Sequence, residues 1–478
     1  MPPFWAVLFF YGNLLFWSKT DRMPPLFIRL GGSSVETAKK QPLLSPLLLM
    51  FLFTTILANI SGTMSDRALP LYVHNLGASV TEVGLFFTLG AILPLAFRII
   101  GGWLSDTIGR LQAIAIGTLG GVIEMIVAVI APSWEWLFIS VIGAAVTRAF
   151  VGPSFLAFIA EQTDEENLGK VYGISDALFM VVGVIGPLLA GYLMQESGFR
   201  QMYAVAAGIY IVAAAIRVAM ALRANKQRAN EPHQRPTLGG LKTDLIAMAG
   251  LVVGGGIVTW LFLSDGILDV SFSMIDQLTP LYQADIIHLS YIQIGWLVAI
   301  RSFATMVVIA PGGWFSDKVG ERIAIVIGGA FVVAAWIVFV VSRGFLGIAG
   351  AWILFGTGWA LFQPAYNSLI SKVIPKRLRG TAFGLFSTSL GIISLPAPYV
   401  GALMWEWLGP RAPFFAPMVG VALMLPLVWF KFRLKSQGAT DASVAQEALA
   451  SRDGFGVVAE EGTSSDETLG QGGAAEDL

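Results

Sequence analysis

A nearly identical string occurs twice in this chain, and it sets the architecture. Gly101-Gly-Trp-Leu-Ser-Asp106 returns as Gly312-Gly-Trp-Phe-Ser-Asp317, 211 residues later. The same offset carries Gly109 onto Gly320, Pro153 onto Pro364, Gly169 onto Gly380, Gly173 onto Gly384 and Pro187 onto Pro398. Asp66, Pro70 and Tyr72 fall on Asp276, Pro280 and Tyr282 at an offset of 210. A register held over this length marks an internal duplication, with one residue inserted after the Asp276 segment. Both copies run in the same direction. Parallel repeats in a membrane are related by an axis along the membrane normal, with a solute site near the midplane between them.

The solvent for this chain is a bilayer. Of 478 residues, 55% are hydrophobic and only 13% are charged, against about 25% charged in ordinary soluble domains. A spanning helix needs about 20 apolar residues. Twelve segments qualify, at roughly 44–72, 82–101, 112–131, 135–160, 170–193, 199–222, 253–282, 291–312, 322–341, 345–371, 380–404 and 412–434. The expected fold class is an all-α membrane protein of twelve transmembrane helices in two six-helix repeats. The domain reading is an N-terminal extension (1–43), a first bundle (44–222), a cytoplasmic linker (223–252), a second bundle (253–434) and a disordered acidic tail (435–478). Over 436–478 the tail holds nine carboxylates against one Arg, a composition that cannot bury a core. Phe4 to Trp17 is an apolar run of 14 with no basic residue before it. It reads equally as an interfacial segment or as sequence upstream of a true start such as Met23.

Several function classes drop out. Cysteine is absent, which removes disulfides, thiolate metal sites and thiol nucleophiles. His74, His233 and His288 lie far apart and make no metal-ligand pair, so no metal and no cofactor is expected. There is no G-x-x-x-x-G-K-[ST] string, and hence no ATPase of the chain's own. A net charge of −1 does not suit a nucleic-acid partner. The chain is not expected to be an enzyme. Energy would come from an ion gradient or from the solute's own gradient.

The doubled string resembles the loop between helices 2 and 3 of the major facilitator superfamily. The first copy is Gly102-Trp-Leu-Ser-Asp106-Thr-Ile-Gly109-Arg110, and the second Gly313-Trp-Phe-Ser-Asp317-Lys-Val-Gly320-Glu-Arg322. The resemblance covers about residues 44–434. It implies two six-helix bundles and a solute cleft between helices 1, 4, 7 and 10. The first copy departs at Thr107 and Leu111, where the family usually has basic residues. The residue types also make physical sense in a gate. Glycine lets helix ends approach closely. Asp106 and Asp317 can accept from backbone N–H groups, and Arg110 and Arg322 are expected to pair across the loop. The bland reading is capping residues beside positive-inside anchors.

Charges at membrane depth are costly and usually mark a pathway. Predicted helix 7 carries Asp265, Asp269 and Asp276. Spacings of 4 and 11 at about 100° per residue place all three within roughly 40° on a continuous helix. The expected stripe faces the cleft and exchanges protons there. At the 210 offset, Thr55, Asn59, Thr63 and Asp66 of helix 1 match Asp265, Asp269, Ser273 and Asp276. Helix–helix glue is the alternative for these polar groups, and solvation near the outer mouth is the alternative for Asp276. Arg148 lies mid-span in helix 4, and its repeat mate is Trp359. The spacing Arg148-x-x-x-Gly152 is similar to a pattern in family members that exchange protons. A structural ion pair is the alternative. Arg301 in helix 8 is expected to pair with Asp265 or Asp269. Glu124 is expected to be structural, since helix 3 flanks the core in the family. Asp176 and Arg217 read equally as gating or snorkelling groups. Gly186, Pro187 and Gly191 should kink helix 5. Their stretch resembles a pattern of drug–proton antiporters, with departures at Val182 and Ala190.

The resulting expectation is a monomeric secondary transporter of a small solute, coupled to protons and leaning to efflux. A proton-coupled importer of a sugar or organic acid, and a non-transporting membrane sensor, are the rival readings. Orientation follows from Lys and Arg in the loops. With the N-terminus cytoplasmic, 18 basic residues fall inside, and only Arg200, Arg343 and Arg411 outside. That places both termini in the cytoplasm and the chain in the plasma (cell inner) membrane. The cysteine-free sequence makes this directly testable. A single cysteine at Arg343→Cys should react with an impermeant maleimide in intact cells, and one at Arg228→Cys only after permeabilisation.

Overall fold

The structure is a computed structural model, and it describes residues 44–225, 257–373 and 391–431. Among these residues there is no strand. In chain order the long helices are α1 (Pro46–Asn75), α2 (Val80–Ile108), α3 (Arg110–Ile130), α4 (Leu137–Glu161), α5 (Glu165–Ser197), α6 (Phe199–Asn225), α7 (Ile257–Ser273), α8 (Tyr291–Val319), α9 (Glu321–Val341), α10 (Phe345–Val373), α11 (Ala397–Leu408) and α12 (Phe415–Lys431). Nine helices among the described residues are long and apolar enough to cross a membrane. Helices satisfy their own backbone groups, which lipid cannot do. The expected extension 1–43, most of the linker and the tail 435–478 lie outside the described residues.

Local chemistry sets the helix ends. Ser79 and Ser290 start α2 and α8 with capping boxes closed by Glu82 and Gln293. Each box satisfies two otherwise orphaned N–H groups. The expected polar loops between helices 2 and 3, and between 8 and 9, shrink to one residue each. Gly109 and Gly320 turn the chain at φ of 101° and 90°, a region glycine enters without strain. Gly102 and Asp106 therefore lie in the closing turns of α2, and Gly313 and Asp317 in those of α8.

A second correction concerns helix 7, expected as one span over 253–282. α7 stops at Ser273, turns through 274–277, resumes over Leu278–Leu281 and widens into a π turn at Tyr282–Ile286. A Cβ on Gly401 of α11 would lie 2.9 Å from the Met274 carbonyl carbon. Asp276 thus sits in the break, and its angle to Asp265 is not the one a continuous helix would give.

Within the first half α3 packs on α4 and α6, and within the second α9 packs on α10 and α12. The two halves meet through α5 with α8 and α2 with α11. Small residues allow these contacts. A Cβ on Gly295 would meet Pro187 O at 2.5 Å, and one on Gly84 would meet Pro398 O at 2.8 Å. Tyr399 N donates to Thr88 Oγ1 at 3.2 Å. Phe199 meets Tyr291 edge-on, and His74 Nε2 lies 3.3 Å from Asp285 Oδ2.

The cytoplasm-facing ends implied by the charge bias hold one bond twice. Arg110 Nε donates to Glu161 Oε1 at 3.1 Å, tying α3 to α4. Lys372 donates to Glu321, tying α10 to α9. These four positions are repeat mates at the 211 offset, so the same link is kept with its polarity reversed.

α9 and α10 approach closely where Gly328 faces Gly358. A Cβ on Gly358 would lie 2.6 Å from Gly328 O and 2.7 Å from Phe331 Cβ. Gly358→Val should therefore lower thermal stability in detergent by about 1–3 kcal/mol, as overpacking does. Gly350→Ala on the same helix, where nothing lies within 4 Å, should be neutral or slightly stabilising.

Candidate transport site

Charged side chains from both halves gather at mid-depth. Arg148 of α4 donates from Nη2 to Asp66 Oδ1 of α1 at 3.0 Å. Both side chains keep a partly exposed face, at 28% and 22%. Next to Asp66 on α1, Arg67 lies in the field of both Asp66 and Asp276. Asp276 and Arg67 in turn act on Arg301 of α8. Glu124 of α3 accepts from Ser65 Oγ at 3.1 Å and feels the charges of Arg148 and Asp66. The carboxyl groups of Asp66, Glu124 and Asp276 thus lie among the guanidiniums of Arg67, Arg148 and Arg301. Opposite charges at this depth compensate one another where lipid cannot. The array runs from the first half into the second.

The other two helix 7 aspartates occupy a separate polar layer. Asp269 is 3% exposed and accepts from the Ser394 hydroxyl, just before α11. Asp265 is 9% exposed and sits beside Tyr366 of α10. The Tyr366 hydroxyl donates to Leu261 O at 3.3 Å. Among the described residues, Asp265 Oδ1 is buried without a hydrogen-bond partner, as are Ser264 Oγ and Gln363 Oε1. Trp352, Phe355, Trp359, Phe362 and Tyr366 run along α10, each buried. Consecutive rings have centroids 5.4–5.9 Å apart.

Arg301 does not pair with Asp265 or Asp269. Its guanidinium lies 5.4 Å from the Trp352 ring centroid and 5.9 Å from that of Phe355, a favourable cation–π placement. The reason is the break after Ser273, which brings Asp276, rather than the deeper aspartates, toward Arg301. Asn59 and Thr63 turn back onto their own helix. Asn59 Nδ2 donates to Thr55 O at 2.8 Å and Thr63 Oγ1 to Asn59 O at 2.9 Å.

In the second half the loop groups are placed differently from expectation. Arg322 lies over Trp429 of α12, at 4.7 Å to the centroid, and among the described residues it makes no ion pair with Asp317. In the first half Arg110 meets Glu161 of α4. The side chains of Gly102 and Asp106 lie outside the described residues. Gly109 and Gly320 make the turns, and Gly313 faces open space. Gly186 packs on Thr63 of α1, and Gly191 on Tyr291 and Gly295 of α8. Pro187 stands inside a helix that continues to Ser197.

Arg217 does not snorkel. It is 2% exposed and donates to Thr54 Oγ1 at 3.4 Å, Thr118 Oγ1 at 3.2 Å and Thr55 Oγ1 at 3.1 Å. Sequence reasoning also passed over Arg67, although a base at membrane depth next to Asp66 was itself the signal. Tyr366 and Ser394 carried no such signal, because neutral hydroxyls on other helices announce nothing until the helices are paired.

A doubled six-helix arrangement with opposite charges gathered from both halves defines the class, a membrane transporter. The family model for the Major Facilitator Superfamily matches residues 49–290 and again 261–458, and the chain belongs to that family. It is 24% identical over 392 residues to the multi-drug resistance efflux pump PmrA of Streptococcus pneumoniae serotype 4, covering 80% of this chain and 96% of that one. It is 22% identical over 379 residues to the quinolone resistance protein NorA of Staphylococcus aureus strain Mu50, covering 77% and 93%. Among solved structures, the fold is like that of a mutant peptide transporter POT in complex with alafosfalin. There the TM-score is 0.65 at 15% identity, covering 85% of this chain and 94% of that one. A D-xylose-proton symporter matches with a TM-score of 0.61 at 14% identity, covering 82% and 98%.

Asp66 and Arg148 should show their coupling in stability. Asp66→Asn removes the carboxylate from this ion pair and Arg148→Gln removes the guanidinium. Each should lower the thermal midpoint of the purified protein. The double variant should recover part of the loss, with a coupling of about 0.5–3 kcal/mol in a double-mutant cycle.

Proposed function

We propose that this transporter exports a small solute in exchange for protons. The observation that carries the reading is Asp265, a carboxyl buried at membrane depth whose Oδ1 has no hydrogen-bond partner among the described residues. A carboxylate without a counter-ion is a group that a transporter can load with a proton and unload when the site opens to water. Asp269, one turn further along α7, offers a second such group. The unpartnered oxygens of Ser264 and Gln363 give a solute polar contacts in the same layer. The solute would enter from the cleft between the halves, near α1, α4, α7 and α10. Arg148 and Asp66 would set the charge balance on the facing wall. The efflux direction is supported by the likeness to PmrA and NorA, whose names give them as an efflux pump and a quinolone resistance protein.

Proteoliposomes loaded with a quinolone and a pH-sensitive dye test this. Solute leaving the vesicle down its gradient should acidify the lumen, because protons enter in exchange. Asp265→Asn should slow this by at least about tenfold, equivalent to roughly 1.4 kcal/mol at the barrier. Alkalinisation by a sugar or organic acid leaving the vesicle would instead make the protein a symporter. Solute flux without proton movement would remove proton coupling.

A further inference from the structure

Glu124 lies in the same charged array as Asp66 and Arg148, yet its surroundings differ from those of the other carboxyls. It faces Ser65 and Asp66 from α1, Arg148 from α4, and Tyr203 and Tyr210 from α6. Asp66 holds a direct ion pair with Arg148. Glu124 has the same guanidinium nearby, but it accepts from the neutral Ser65 hydroxyl. Two carboxyls therefore share one arginine.

Helix α1 brings the two carboxyls together. Ser65, which donates to Glu124, directly precedes Asp66, which holds Arg148. α3 and α4 touch at this level, since a Cβ on Gly143 would lie 2.9 Å from Glu124 N, and the Ser140 hydroxyl donates to Glu124 O at 2.5 Å. Asp66, Glu124 and Arg148 are each partly exposed.

We propose that Glu124 carries a proton and that Arg148 exchanges between Asp66 and Glu124 as that proton moves. With Arg148 on Asp66, Glu124 is the neutral acid. When Arg148 turns, its N–H groups donate to the Glu124 carboxylate. The Glu124 O–H bond breaks, and the proton passes to Asp66, directly or through water. Asp66 is then the neutral acid, and it delivers its proton to the cleft. Net charge in the trio is unchanged by the internal transfer, which suits a low-dielectric site. The inference rests on the proton-coupled reading but adds a store in the half opposite α7.

Proton titration of the purified protein tests it without any solute. The wild type should show a proton-binding step near neutral pH that is lost in Glu124→Gln and restored in Glu124→Asp. A purely structural role predicts no loss, because glutamine still accepts from Ser65. Asp66→Asn frees Arg148 for Glu124 and should shift the same step to more acidic pH. This second variant leaves Glu124 intact, so a folding defect in Glu124→Gln does not shield the proposal. Superimposed curves for wild type and Glu124→Gln would overturn it, as would an unmoved step in Asp66→Asn. Failure of wild-type vesicles to couple solute to protons would overturn the proton-coupled reading instead.

Discussion

A guanidinium held in a hydrocarbon layer must find its compensation within its own reach. On insertion scales an uncompensated Arg costs about 2.5–3.5 kcal/mol. Three solutions appear in this chain. Arg217 is held by the hydroxyls of Thr54, Thr55 and Thr118, each of which donates onward to a carbonyl of its own helix. Arg148 takes a carboxylate, Asp66. Arg301 lies over the rings of Trp352 and Phe355 with Asp276 in its field. Each solution names the helices that must be neighbours. Arg217 fixes α6 against α1 and α3, Arg148 fixes α4 against α1, and Arg301 fixes α8 against α10.

The contacts between halves have a different character. They rest on glycine and proline at α5 with α8 and α2 with α11, where backbones touch and few charges are involved. Such surfaces can slide on one another, while the His74–Asp285 contact between the halves would have to open. Gly169 and Gly173 of α5 meet nothing within 4 Å, so the touching ends and the open ends belong to the same helix. A rocking of one half on the other is the motion these surfaces permit.

Much of this was legible before any coordinates. The duplication, the bilayer solvent and most helix positions follow from the 211 offset and the apolar segments. The polar loops were misjudged because one glycine at positive φ does the work of a loop, and hydropathy does not register φ. The break after Ser273 was missed because it depends on Met274 packing against Gly401, two segments distant in the chain. That break in turn redirected Arg301 away from Asp265 and Asp269. Register between helices is a tertiary quantity, so Ser394 beside Asp269 and Tyr366 beside Asp265 had no sequence trace.

The reversed polarity of Arg110–Glu161 and Glu321–Lys372 bears on how a duplicated chain avoids confusing its own parts. After duplication, α4 and α10 are near-equivalent surfaces, and either could dock on α3 or α9. Were they exchanged, Arg110 would face Lys372 and Glu321 would face Glu161. Like charges would then meet at both sites, at the mouth of the bundle. The two links tie the helices of each half together, and their reversed polarity disfavours the exchanged pairing.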